Sequence, residues 1–170
     1  MSIQTIIKSL AQAGDLVAYQ PQFVRTRKGS GRRLYMTKAA WQEHANPYSA
    51  ASLLGLRGSI EAAMTRWVNN ELVYKEFLAR LKPPPPEIWE IRVTWPQPQI
   101  RLFCRFAEPD TLILTRFRAR NILGKKGSIA WSEAMVGCEA DWNALNPPLT
   151  PFSATSIAEY VTENCNDFPI

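Results

Sequence analysis

Arginine supplies the densest patterned chemistry in this sequence. Arg92, Arg101, Arg105, Arg116, Arg118 and Arg120 lie on or beside three neighbouring alternating stretches, and Lys125 and Lys126 follow directly. Alternate residues of an extended strand share a face, so Arg101 and Arg105 point together, as do Arg116 and Arg118. Guanidinium forks match phosphate oxygens in shape and charge. Such a group would hold a phosphate backbone and, in a phosphodiester cleavage, stabilise transition-state charge. The competing reading makes the same arginines the solvated face of a half-buried sheet. A second basic group, Arg25, Arg27, Lys28, Arg32 and Arg33, falls at the tip of an expected hairpin. It reads either as a soluble turn or as a finger reaching a nucleic-acid groove. Trp89, Trp95, Phe103, Phe106 and Phe117 accompany the charges. They could stack on bases, but large aromatics more often belong to the core.

Other reactive constellations are missing. The sequence has no Walker A loop, GxGxxG, GxSxG or HExxH. His44 is the sole histidine and precedes Asn46-Pro47, a helix-breaking pair, so it reads as structural or solvated. Glu87, Glu90, Glu108 and Asp110 read as strand-end and turn residues rather than a hydrolytic carboxylate pair. Cys104, Cys138 and Cys165 are odd in number, widely spaced and without a CxxC pair. They suit reduced structural thiols better than disulfides or a zinc site. Neither metal nor cofactor is expected.

Charge divides the sequence in two. All 20 Lys and Arg lie at or before Lys126, against nine acidic residues there, and residues 127–170 carry six acidic residues and no basic one. Such asymmetry speaks to partners rather than fold. Charges or prolines interrupt every apolar run before membrane-spanning length. The N-terminus lacks a secretory pattern, and the expectation is a cytoplasmic protein without membrane contact.

The elements that must position these residues read as follows. Ile3, Ile6, Ile7 and Leu10 form one helical stripe, stopped at Gly14. Residues 16–36 read as a hairpin, and Thr37 as the cap of a helix over 38–44. A helical turn is expected over 49–54. Spacing of four among Ile60, Met64, Val68 and Leu72 predicts a long helix over 59–81, helped by Glu71 four residues before Lys75. Pro83 to Pro86 then read as a stiff polyproline II linker turning the chain into the sheet. Alternation predicts strands over 88–94, 100–106 and 112–118, joined by short gaps into an antiparallel meander. A basic loop over 119–127, a helix capped by Ser128 over 129–145, and a short helix within 155–164 complete the order. The expected class is α+β: a β-meander of three or more strands packed on one face by a long helix and a C-terminal helix. The expected organisation is an N-terminal helix and basic hairpin extension (1–57), a core (58–146) and an acidic, proline-containing tail (147–170).

From about Gly58 to Leu145, the order of elements and several local motifs resemble the RelE/HigB toxin superfamily, in particular its phage-derived, HigB-like branch. A helix ends shortly before Trp89-Glu90-Ile91-Arg92, similar to the branch's tryptophan-glutamate-leucine-arginine strand. Gln99-Ile100-Arg101-Leu102-Phe103 resembles its arginine-bearing second strand. Leu114-Thr115-Arg116-Phe117-Arg118-Ala119-Arg120 looks like its third, followed by a helix. The resemblance implies a compact sheet that, in active toxins, cuts mRNA on the ribosome without a metal, using Lys, Arg, Tyr or His. There the 2′-hydroxyl attacks the adjacent phosphate while basic side chains neutralise developing charge. By position, Arg92, Arg101 and Arg120 match the catalytic places. RNA or the ribosome is the implied target and an antitoxin or other protein the implied partner. Two departures stand out. The usual lysine-threonine-proline stretch is replaced by residues 122–127, and Tyr160 is the only phenolic candidate for proton transfer in the tail. An ordinary tyrosine, with a pKa of about 10, is a poor base at neutral pH unless cations lower it. The alternative is a noncatalytic module that keeps the fold and binds nucleic acid or a protein, such as a phage-encoded inhibitor.

Overall fold

The computed structural model describes residues 1–22, 31–45 and 56–170. The helical turn expected over 49–54 lies outside them, as do Arg25, Arg27 and Lys28.

Helix α1 (Ile3–Ala13) forms where expected. The Thr5 N–H donates to Ser2 Oγ (3.2 Å), and Gly14 ends the helix at φ 80°, a conformation glycine adopts without a Cβ penalty. Strands β1 (Leu16–Ala18) and β2 (Arg33–Thr37) pair antiparallel. Thr37 Oγ1 accepts the Ala40 N–H (3.2 Å) and caps α2 (Lys38–Ala45).

The long helix is shorter than its spacing suggested. Helix α3 spans Arg57–Val68 and stops at Asn69-Asn70, with Asn70 at φ 58°. Leu72 is 47% exposed rather than continuing the apolar stripe. Glu71 approaches Arg66 (3.9 Å), and Lys75 approaches Glu76 (3.9 Å). Beyond the turn, β3 (Leu78–Arg80) pairs antiparallel with β4 (Trp89–Val93), and the ladder outweighs helical propensity. The prolines therefore reverse the chain between paired strands, with the Leu81 N–H donating to Ile88 O (2.8 Å), and are not an extended spacer.

The meander is present: β4, β5 (Ile100–Glu108) and β6 (Thr111–Ala119) pair antiparallel in succession. It is part of a larger mixed sheet, ordered β1-β2-β6-β5-β4-β3, in which β2 runs parallel to β6. The N-terminal strands thus extend the sheet. Short helix α4 (Arg120–Leu123) occupies part of the expected basic loop. Helix α5 (Ile129–Asn143) starts at Ser128, whose Oγ accepts the Trp131 N–H (3.3 Å), and α6 (Ile157–Tyr160) lies in the tail.

Helices cover both faces of the sheet, where one covered face was expected. One face packs Leu102, Cys104 and Phe106 against Met64 and Trp67 of α3 and Tyr160 and Phe168 of the C-terminal segment. The opposite face packs Phe103 against Trp131 and Met135 of α5, and Ala107 and Ile113 against Ile7 and Leu10 of α1. Strand β5 is consequently buried at every position except Glu108. Each large apolar side chain so enclosed contributes about 1.5–3 kcal/mol. The acidic tail belongs to this core, because Ile157, Tyr160, Val161 and Phe168 are all buried in it.

Arg32 joins the ends of the chain. Only 2% exposed, it lies 4.9 Å from the Trp67 ring centroid and donates to the carbonyls of Glu71 (2.7 Å), Glu163 and Asn164 (3.2 Å). It is therefore an interior staple and not a hairpin-tip ligand for nucleic acid. Arg32→Met should lower unfolding stability by about 3 kcal/mol, since buried carbonyls lose a charged donor. Urea denaturation measures this, and a loss below about 1 kcal/mol would show that the carbonyls find other donors.

Candidate functional site

The alternation of β4 and β5 sets the geometry of the arginines. Arg92 and Arg101 are direct cross-strand neighbours, and Arg101 in turn pairs with Arg118 of β6. Glu90 shares the parity of Arg92, so it stands on the same face one step along. This carboxylate is fully buried. Its Oε1 accepts Arg92 Nε (2.7 Å), and Arg101 Nε lies 3.3 Å from its Oε2. Arg101 also donates to Gln99 Oε1 (2.9 Å), and the Arg120 N–H donates to the Gln99 carbonyl (2.7 Å). Two arginines from adjacent strands thus share one carboxylate at the end of the sheet, and the charge of Arg120 lies close enough to act on Arg101.

Burial lowers the Arg101 pKa. Glu90 opposes that shift, and the positive charges of Arg92 and Arg120 add to it. One negative charge against three positive ones leaves the group net cationic and able to attract an anion. The Arg120 guanidinium lies 5.6 Å from the Trp131 ring centroid and donates to Gly124 O, with no carboxylate bonded to it among the described residues. Lys125 and Lys126 are exposed in the turn that follows.

The remaining basic residues do not join this group. Arg105 is 3% exposed, donates to Pro86 O (3.0 Å) and lies over Trp142 (5.4 Å). Arg116 is held by Asp141 of α5 and packs against Gly137, where an added Cβ would overlap its guanidinium. Arg118 turns towards Glu43 of α2 (3.4 Å). Arg33 pairs with Glu108 (2.8 Å). The shared face expected for Arg116 and Arg118 therefore does not make a shared site, and Arg105 is interior.

Proton-transfer candidates lie elsewhere. Tyr160 is enclosed on the α3 side by Trp89, Phe106 and Phe152. Its hydroxyl donates to Glu87 Oε2 (2.7 Å) and accepts the Ala154 N–H (2.8 Å). Burial, reinforced by Glu87, raises its pKa to about 12, opposite to the lowering that base catalysis requires. His44 is buried beside Glu61, with Nε2 to Oε1 3.3 Å, and burial lowers its pKa.

Sequence reasoning missed Glu90 as the centre of the cluster and Trp95 as its exposed aromatic neighbour. The signal for Glu90 was its parity with Arg92. Trp89, Phe103, Phe106 and Phe117 are core members, whereas Trp95 is 76% exposed. Cys104 and Cys138 are buried and Cys165 is half-buried, all as free thiols. Burial pushes the Cys138 thiol up to about 11. Among the described residues no group of three His, Cys, Asp or Glu is arranged to hold a metal, and no helix is long and apolar enough to cross a membrane.

No family model, no curated protein and no solved structure matches this chain.

Glu90→Gln should destabilise the fold by about 2–4 kcal/mol, because two guanidinium groups keep their burial and lose their counter-charge. Phosphate at tens of millimolar should raise the variant's thermal midpoint more than the parent's, since an anion can replace the lost charge. Equal shifts would mean that anions do not enter the cluster. For Tyr160, the folded pKa lies above the unfolded value of 10.0, so its stabilising effect is complete below pH 10 and is lost as pH rises towards 12. Tyr160→Phe should flatten the stability-against-pH curve in that window. Chemical denaturation at pH 9 to 12 tests it, and parallel curves for the two proteins would contradict it.

Proposed function

We propose that this protein is a RelE/HigB-like relative that acts on RNA by gripping its phosphate backbone at the end of the sheet. The observation that carries the reading is the meeting of Arg92 and Arg101 on a single buried carboxylate, with the Arg120 charge acting on Arg101 and Lys125 and Lys126 exposed beside them. The same three arginines match the family's catalytic places by sequence position. The order of helix, Trp89 strand, Arg101 strand, Arg116 strand and following helix adds support.

The chemistry favours holding over cutting. A 2′-hydroxyl becomes a nucleophile when a base takes its proton, and a leaving oxygen needs an acid. Tyr160 sits in the opposite core bound to Glu87, and His44 faces Glu61. Glu90 is fully buried between two arginines. The arginines then act as a pre-formed electrostatic seat, with Arg101 as the inner charge and Arg120, Lys125 and Lys126 as the outer ones.

RNA affinity should fall steeply with salt. Combined Arg120→Ala, Lys125→Ala and Lys126→Ala should reduce the slope of log affinity against log salt by about 2, at about 0.7 per contact on a single strand. Fluorescence anisotropy with a labelled oligonucleotide measures this, and a gel of the same RNA should show no new fragments. An unchanged slope would refute the phosphate grip. Ribosome-dependent mRNA fragments on induced expression, lost with Arg101→Ala, would replace holding by cleavage.

A further inference from the structure

A groove of about 530 Å³ opens beside the arginine cluster, between α3 and the end of β4. Ala62 and Ala63 of α3 line it with small side chains, together with Arg66, Tyr74, Arg92 and Trp95. The volume is of the size that small planar ligands occupy.

Its walls combine guanidinium groups and aromatic rings, with the carboxylates of Glu71 and Glu76 also on the lining. The Arg66 guanidinium is fixed against two rings, with its carbon 4.9 Å from the Tyr74 centroid and 5.1 Å from that of Phe77. Its Nη1 donates to Tyr74 Oη (3.1 Å) and its Nη2 to Leu72 O (3.2 Å), while its Nε, without a hydrogen bond, lies 3.9 Å from Glu71 Oε2. Trp95 offers an open indole at 76% exposure, in a protein that encloses Trp67, Trp89, Trp131 and Trp142 almost completely. An exposed tryptophan at the mouth of an arginine-lined groove is a stacking surface that the core does not use.

Arg92 belongs to both places. It lines the groove, and its Nε holds Glu90 within the arginine cluster. A ligand whose ring occupied the groove would therefore carry an attached phosphate towards Arg92 and its cross-strand neighbour Arg101. We infer that the groove is a base subsite: it takes one unpaired nucleobase against Trp95 while the adjoining phosphate rests on the arginine cluster. This inference rests on the RNA reading above and adds to it the residue that grips the base.

The full-length chain is titrated with a labelled single-stranded RNA and with the same RNA made duplex. Trp95→Ala should weaken single-strand binding by about tenfold, the scale of losing one stacked base, and leave duplex binding unchanged. Trp95→Phe should keep most of the affinity, because a smaller ring still stacks. Single-strand affinity unchanged in Trp95→Ala, with the Arg120, Lys125 and Lys126 variant still weakened, would overturn the base subsite and leave the phosphate grip standing. Equal losses for single strand and duplex would also overturn it, since stacking requires an unpaired base. No binding of either RNA by the parent chain would remove both readings together. Trp95 is exposed, so its replacement leaves the core intact, and an unchanged thermal midpoint confirms that any loss belongs to binding.

Discussion

Strand β5 cannot face water, and that constraint organises everything around it. Helices lie on both sides of the sheet, so the polar residues on this strand enter a dry interior. A guanidinium cannot shed its charge at ordinary pH, and each one buried must find an acceptor. The solutions differ by position. Arg105 uses a carbonyl and the face of Trp142, while Arg101 uses Glu90 and Gln99. Arg116, on the neighbouring strand, draws Asp141 from α5 across the gap. What remains as a candidate surface is the sheet end, where two guanidinium groups share one carboxylate and Arg120 stands beside them without one among the described residues.

The split in charge along the sequence does not become an encounter between two halves. Most ion pairs join residues that both precede Lys126, such as Arg80 with Glu87, Arg33 with Glu108 and Arg118 with Glu43. Among the described acidic residues of the last quarter, Asp141 alone forms an ion pair, with Arg116. Glu159 instead completes the capping box of α6, where the Ser156 hydroxyl, followed by the Ser156 and Thr155 N–H groups, donates to its carboxylate and lowers its pKa. Glu163 accepts from Asn70. Glu159 and Glu163 are thus met by local backbone and amide donors and not by the arginines of the sheet.

Local signals were readable where one neighbour decides the outcome. Ser2 and Gly14 bound α1, Thr37 begins α2, Ser128 begins α5, and period-two alternation marks β4 to β6. Reading failed where distant partners decide. A spacing of four over 60–72 promised a helix through residue 81, but pairing of Leu78 with Ile91 converts the end of that segment into a strand. Arg32 and Arg33 are adjacent, yet one is 2% exposed and the other meets Glu108 at the surface, a contrast set by Trp67 and residues 163–164 far along the chain. The arginines at 92, 101 and 120 were legible as a group because strand parity is local. Glu90 shares that parity, but its full burial depends on helix α5 covering this face, which no local pattern encodes. The groove beside them needed the departure of the chain from α3, which no local pattern announces.

The reach of Arg32 has a consequence for biosynthesis. Its guanidinium is completed by carbonyls more than 130 positions downstream. During translation the growing chain emerges at about 5–20 residues per second, so this cation spends several seconds with its final acceptors still unmade. Until they arrive, its partners are Glu71 O, the face of Trp67 and, at 4.0 Å, Asp110. The interior seat of this cation is therefore completed only once the last-made segment has been synthesised and docked.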